Sequence, residues 1–194
     1  MSDSIRDRIL DATVEQLRRH GPGKTGVVDV ARALDMSHSN VYKHFASKSA
    51  LFDAVAQRWL TQVMGPLTKI TADKKTPAPK RLKAWVRQLA EIKRSKVLDD
   101  PEMFNVYHAI TTDAHEVVAQ HVAHLHGAIE EILRDGAKAG DWPLKSAESS
   151  AKLILNATSR FHHPAMVQLD AGKSDLKDLD AVVDLLIAGL QARD

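Results

Sequence analysis

The sequence contains no cysteine. A disulfide framework, thiolate zinc sites, iron–sulfur clusters and a cysteine nucleophile are excluded together. No stretch reaches 18 consecutive apolar residues, so no membrane span is expected. The start, Met1-Ser2-Asp3-Ser4-Ile5-Arg6, lacks the basic-then-apolar layout of a secretory signal, and a cytoplasmic protein is expected. Sustained apolar–polar alternation bounded by hairpin turns is missing, which leaves strands without a candidate. A nucleophile elbow, a phosphate-cradling glycine loop and a convincing acid–base pair are missing as well. No catalytic residue and no cofactor are therefore assigned; an all-helical enzyme is the weaker alternative.

What is present is ordinary for a globular chain: 194 residues, 44% hydrophobic and 27% charged. That length suits one domain or two small ones and buries a core without staples. The net charge of +2 is unevenly spread. Residues 18–48 carry a net +4 and residues 66–100 a net +6, whereas residues 101–194 carry a net −6. A basic end of this kind suits an anionic partner, and the acidic remainder does not.

Helical spacing dominates. Ile9, Leu10, Thr13 and Leu17 share one face of a first helix, ended by Gly21-Pro22-Gly23. Val27, Val30, Ala31 and Leu34 make a short second helix. Ser37 stands where an N-cap is wanted, and Val41, Tyr42 and Phe45 give a third helix its buried side. Ser47 caps a longer helix holding Leu51, Val55 and Leu60, which Gly65-Pro66 is expected to stop. Thr71 to Pro79 reads as a loop, followed by a stripe from Leu82 through Trp85 and Leu89 to Ile92. Asp99-Asp100-Pro101-Glu102 looks like a helix start. Val118, Val122, Leu125, Ile129 and Ile132 form a seam on a long helix ending near Gly140. A helix carrying Ala147 to Phe161 ends at Pro164, and a last one carries Leu176 to Leu190. The expected fold is all-α with about nine helices.

The informative stretch is Val27 to Phe45. Two short helices joined by a tight turn bury too little to stand alone and need the first and fourth helices to complete a bundle. The third helix then shows His38, Ser39, Asn40, Lys43 and His44 outward. That face is short-armed, polar and free of acids, as a major-groove reader should be. Ser37 helps expose backbone N–H groups to a phosphate, and Tyr42 and Lys48 reach phosphates on either side.

Ile9-Leu10-Asp11-Ala12, Gly21, the run Val27-Val28-Asp29-Val30-Ala31-Arg32-Ala33-Leu34-Asp35-Met36-Ser37 and Val41-Tyr42-Lys43-His44-Phe45-Ala46-Ser47-Lys48 together resemble the N-terminal domain of the tetracycline-repressor (TetR) family of transcriptional regulators. The match covers about residues 5–58. The resemblance implies a homodimeric repressor bound to a palindromic operator in double-stranded DNA and released by a small-molecule effector. It divides the chain into a helix-turn-helix domain, residues 1–47, and a helical ligand-binding and dimerisation domain, residues 48–194. Two positions depart from the family. Gly26 stands where a threonine commonly caps the second helix and touches a phosphate, so Thr25 or the Gly26 N–H is expected to take over that contact. Asp35 replaces the usual glycine of the turn, and aspartate tolerates positive φ better than most residues.

In the remainder, the Ala147/Ala151/Ile154/Leu155/Thr158 stripe looks like the family's two-fold helical interface. Large or polar residues on otherwise apolar faces are the ligand candidates: Trp85, Leu89, Phe104, Tyr107, His108, Leu125, Phe161 and His162. An aromatic cavity with imidazoles suits a planar or weakly acidic organic molecule. No metal site is assigned among the histidines. His115-Glu116-Val117-Val118-Ala119 starts like a zinc-protease helix but has alanine in place of the second histidine. A metal held by His108 with His162 or His163, in a metal-responsive regulator, is the remaining alternative.

Overall fold

The computed structural model describes residues 4–170 and 175–192; of the start read above, Met1-Ser2-Asp3 lies outside them. Among the described residues there is no strand. In chain order the helices are α1 (Ile5–Lys24), α2 (Val27–Ala33), α3 (His38–Tyr42), α4 (Lys48–Ala72), α5 (Ala78–Asp99), α6 (Pro101–Asp113), α7 (His115–Ala139), α8 (Ala147–Ala157), α9 (Pro164–Asp170) and α10 (Leu176–Gln191). The helix beyond the expected nine is α9. It begins at Pro164, where the apolar pattern broke off. Proline at the first helical position loses an N–H that has no helical partner anyway.

The chain divides into two compact units. One comprises Met1–Thr61 with Pro101–Ala119, the other Gln62–Asp100 with Gln120–Asp194. In the first, Ser4 opens α1 by accepting from the Asp7 N–H at 3.1 Å. Ile9, Leu10, Thr13 and Leu17 recur on one face of α1 and are all buried. The helical path breaks at Gly21, whose φ of 71° is costly for any residue with a Cβ. Val30, Val41, Leu51 and Val55, each at most 1% exposed, close the same core from α2, α3 and α4. Arg58 ties α4 back to Asp11 of α1 at 2.7 Å.

Contrary to the stop expected at Gly65-Pro66, α4 continues to Ala72. A proline inside a helix costs roughly 3 kcal/mol. Val63 and Leu67 are both fully buried, and each such side chain contributes about 1.5–3 kcal/mol. Burial wins.

In the second unit α5 packs against α10, and its first turn meets α7. A Cβ at Gly136 would lie 2.3 Å from the Trp142 ring and 2.9 Å from the Ala78 Cβ, so only glycine admits this approach. The Trp142 indole N–H then donates to the Leu133 carbonyl at 2.9 Å. The seam expected on the long helix needs one correction. Leu125, Ile129 and Ile132 are buried, but Val122 is 41% exposed and His121, 7% exposed, takes its place. A second correction concerns the presumed dimer stripe: Ala151, Ile154, Leu155 and Thr158 are buried within the chain itself. The apolar surface left open there belongs to Leu153, 65% exposed, and to Leu185 on α10, 74% exposed.

Candidate nucleic-acid interface and body interior

Ser37 begins α3 with extended backbone, and its hydroxyl oxygen accepts from the Asn40 N–H at 3.3 Å. Val41 and Phe45 point inward and are buried, whereas Tyr42, expected on the same buried side, is 46% exposed. The guanidinium of Arg6 lies 4.9 Å from the Phe45 ring centre, a contact nothing in the sequence pattern announced. With that side fixed, the opposite side is open. His38, Ser39, Tyr42, Lys43 and His44 are exposed and Asn40 is half-buried. The His38 and Tyr42 rings meet edge to face at 6.3 Å, which orients both across one turn.

The turn before α3 carries the strain expected of it, with Asp35 at a φ of 51°. The Met36 N–H donates to the Ala31 carbonyl at 3.0 Å and closes the turn.

The phosphate contact expected from Thr25 or Gly26 is corrected. Thr25 is fully buried, its hydroxyl within hydrogen-bond distance of the Gly21 and Gln16 carbonyls at 2.8 and 3.1 Å. It locks the end of α1 rather than facing outward. The Gly26 N–H is also committed, donating to the Asp29 carboxylate at 2.9 Å. One half of a capping box survives without a capping side chain. Lys48 is exposed, and its ammonium donates to the Pro22 carbonyl at 3.1 Å beside the Phe52 ring.

The ligand candidates fall in both units. Phe104, Tyr107 and His108 belong to the first. There Tyr107 stacks on Trp59 with ring centres 4.6 Å apart, and Phe104 meets the same Trp59 edge-on at 6.3 Å. Trp85, Leu89, Leu125, Phe161 and His162 belong to the second, where the first three are buried and the last two half-buried. The His162 Nε2 lies 3.2 Å from both the Leu155 carbonyl and the Thr158 hydroxyl. Since a carbonyl only accepts, that nitrogen carries the proton. Burial holds the His162 imidazole down at about 4, so the ring is neutral. Among the described residues no three histidine, aspartate or glutamate side chains gather where they could hold a metal ion.

The sequence pattern left Lys93 unassigned, and His121, spaced i, i+3 from His124, drew attention only as a metal-ligand pair without a carboxylate. Lys93 on α5 is 4% exposed, and His121 on α7 is 7% exposed. Lys93 follows Trp85 and Leu89 at intervals of four, so a charged residue on an otherwise apolar stripe was the available signal.

The fold and the outward face of α3 define a helix-turn-helix DNA-binding protein joined to an all-helical body. Residues 9–55 match bacterial regulatory proteins of the tetR family, and residues 78–183 match the tetracyclin repressor-like C-terminal domain. This chain belongs to the TetR family of DNA-binding transcriptional regulators.

No curated protein matches it in sequence. Solved structures share its fold. The fatty acid degradation regulator FadR from Bacillus halodurans is 19% identical over 100% of both chains, with a TM-score of 0.68. SmeT, repressor of the Stenotrophomonas maltophilia multidrug efflux pump SmeDEF, is 19% identical over 96% of this chain and 90% of its own, with a TM-score of 0.69. FadR from Bacillus subtilis, in complex with stearoyl-CoA, is 17% identical over 94% and 98%, with a TM-score of 0.63. Identities this low establish a common fold alone.

Proposed function

We propose that this chain is a homodimeric repressor that reads a two-fold-symmetric operator with α3 and leaves it when a small molecule enters the body. Residues 1–47 serve as the reading head and residues 48–194 as the effector and dimerisation body. The observation that carries the reading is the exposed, acid-free face of His38, Ser39, Tyr42, Lys43 and His44 above a buried Val41. A face of short polar arms on a rigid helix suits base edges in a major groove.

Two such helices must lie about 34–36 Å apart to enter successive turns of one duplex face, which requires two copies. Leu153 and Leu185, both well exposed, supply apolar surface for pairing of α8 and α10. Release follows if the effector favours a body conformation that mis-spaces the two heads. The coupling element is α4, which places Leu51 and Val55 in the core of one unit and Val63 and Leu67 in the core of the other.

Gel shifts with DNA from upstream of the chain's own gene test this reading, using two substitutions. Tyr42→Ala, removing a phosphate contact, weakens binding to all sequences alike. Asn40→Ala instead relaxes preference at one base position, by about 1–3 kcal/mol. Equal affinity for every duplex would refute operator recognition.

A further inference from the structure

We propose that a cavity at the start of α5 binds a phosphate monoester of a small organic molecule, its phosphate over the first turn of α5 between Lys75 and Lys138. The inference goes beyond the effector reading above. None of the aromatic or histidine ligand candidates lines this cavity, and all of its lining residues belong to the second unit.

Three segments build it. The turn after α4 supplies Lys74, Lys75 and Thr76, α5 begins with Ala78, and the end of α7 supplies Lys138. The close approach of Ala78 to Gly136 pins the start of α5 beside α7. The cavity measures about 550 Å³, within the range of small-molecule sites and more than a bare phosphate fills.

Most of the charge here is already answered. Lys74 donates to Glu131 and Asp135, both at 2.6 Å. The hydrogen bond to Asp135 raises the Lys74 ammonium and lowers the Asp135 carboxyl, so both stay ionised. Arg81, 3% exposed, donates to the same Asp135 at 2.7 Å and to the Thr71 carbonyl at 2.8 Å. Asp73 accepts from the Thr76 hydroxyl at 2.7 Å and from the Lys75 backbone N–H at 3.2 Å. Among the described residues, three lining side chains keep a charge outside any ion pair: Lys75, Lys138 and Asp141. Their sum is one positive charge.

The helix adds to it. No side chain caps α5, and Pro79 has no N–H to offer. The Arg81 N–H takes the Pro77 carbonyl at 3.0 Å, which leaves the Ala78 and Lys80 amides of that turn without a helical acceptor. Over 22 residues the aligned peptide dipoles place about half a positive charge at this end. Arg81 supplies an independent sign. It is part of the cavity wall, and its buried Nε–H has no partner. More than nine in ten buried polar groups in native proteins are satisfied, so an orphaned donor bordering a cavity marks the place of an acceptor.

This set of donors favours phosphate over carboxylate. A phosphate monoester carries between one and two negative charges at neutral pH and three terminal oxygens. Those oxygens can be shared among helix amides and two ammoniums on flexible stems, whereas a carboxylate brings two oxygens and one charge. Pro77, Ala139 and the lysine stems give the organic part an apolar wall.

The probe is phenyl phosphate, with phenol as its uncharged counterpart and inorganic phosphate as the bare anion, titrated calorimetrically into the full-length protein at low salt. Phenyl phosphate should bind at least tenfold more tightly than phenol and more tightly than inorganic phosphate. Lys75→Glu and Lys138→Glu, both at exposed positions, should each weaken it at least fivefold. Lys24→Glu, an equal charge change in the other unit, should leave it unaltered. Arg81→Lys keeps the cation, removes the Nε–H and should weaken binding about threefold, with circular dichroism confirming the fold; the two exposed variants decide the matter independently of it. In amide spectra the Ala78 and Lys80 signals should shift on titration. Failure of phenyl phosphate to bind, equal binding of phenol, or indifference to both Lys75→Glu and Lys138→Glu would overturn the site. Shifts confined to residues 37–43 would overturn it too, by placing the phosphate on the reading face of α3.

Discussion

The two compact units treat buried polarity in opposite ways. In the first, the buried polar side chains among the described residues are two threonines, Thr13 and Thr25, each hydrogen-bonded to helix carbonyls. In the second they include Arg81, Lys93 and His121. Among the described residues the buried polar side-chain atoms without partners, Arg81 Nε, Trp85 Nε1, His121 Nε2 and Asp180 Oδ1, all belong to it as well. A head that meets DNA keeps its polar groups on the outside, over a core that asks for nothing. A body that admits a ligand carries interior polarity at a cost in stability.

The largest expected effect is on salt dependence. If the proposed dimer neutralises about eight phosphates, log affinity for operator DNA falls with log salt at a slope near −7, so going from about 50 to about 200 mM weakens binding roughly 10⁴-fold. A slope near zero would show that the outward face of α3 meets no phosphates.

The next effect is on stability. Lys93→Met removes a charge that burial disfavours and leaves an unbranched side chain of similar length. Lowering the ammonium from 10.5 to about 8 corresponds to about 3 kcal/mol, so ligand-free Lys93→Met should be more stable by that order at pH 7. The unfolded chain holds this proton up to 10.5 and the folded chain only to about 8. Wild-type stability from this group therefore rises between those values, and the advantage of the variant shrinks over the same interval. His121, held down to about 3, works at the other end: its contribution is present above 6.5 and is lost as the pH falls toward 3. Urea titrations from pH 5 to 10 read both trends. A Lys93→Met protein less stable than wild type would show that the bonds the lysine makes within the fold outweigh the cost of burying its charge.

The same contrast governs how much was legible in the sequence. The head was readable because its signals are local: Ser37 caps α3, and Val41 and Phe45 follow at helical spacing. Thr25 misled because a hydroxyl at a helix junction has two uses, and residue type does not distinguish an outward phosphate contact from an inward bond to Gly21. In the body, the spacing of Ala151, Ile154 and Leu155 reads as a partner-facing stripe, yet all three are buried within the chain. An apolar face reads identically whether it covers its own core or another chain's. His121 was passed over for Val122 because hydropathy ranks valine above histidine, although register favours His121 beneath Leu125. The end expected for α4 at Gly65-Pro66 reflected a true local cost that tertiary burial offset.

The smallest effect expected lies in the turn of the reading motif, where both kinds of demand meet in one residue. Asp35 is exposed and holds a φ of 51°. A side chain in the left-handed region costs about 1–2 kcal/mol, least for Asp and Asn, whose short arms bond locally. Glycine removes that strain but gives the unfolded chain more freedom, returning part of the gain. Asp35→Gly should therefore raise stability by only about 0.5–1 kcal/mol, read as a small increase in the urea midpoint at unchanged slope. It also deletes one negative charge per chain beside the reading face, so operator affinity should rise a few-fold at low salt and converge on wild type at high salt. Tighter binding that persists at high salt would locate the gain in turn geometry instead of charge. A loss of stability would show that the aspartate side chain, like Thr25, holds the motif together from within.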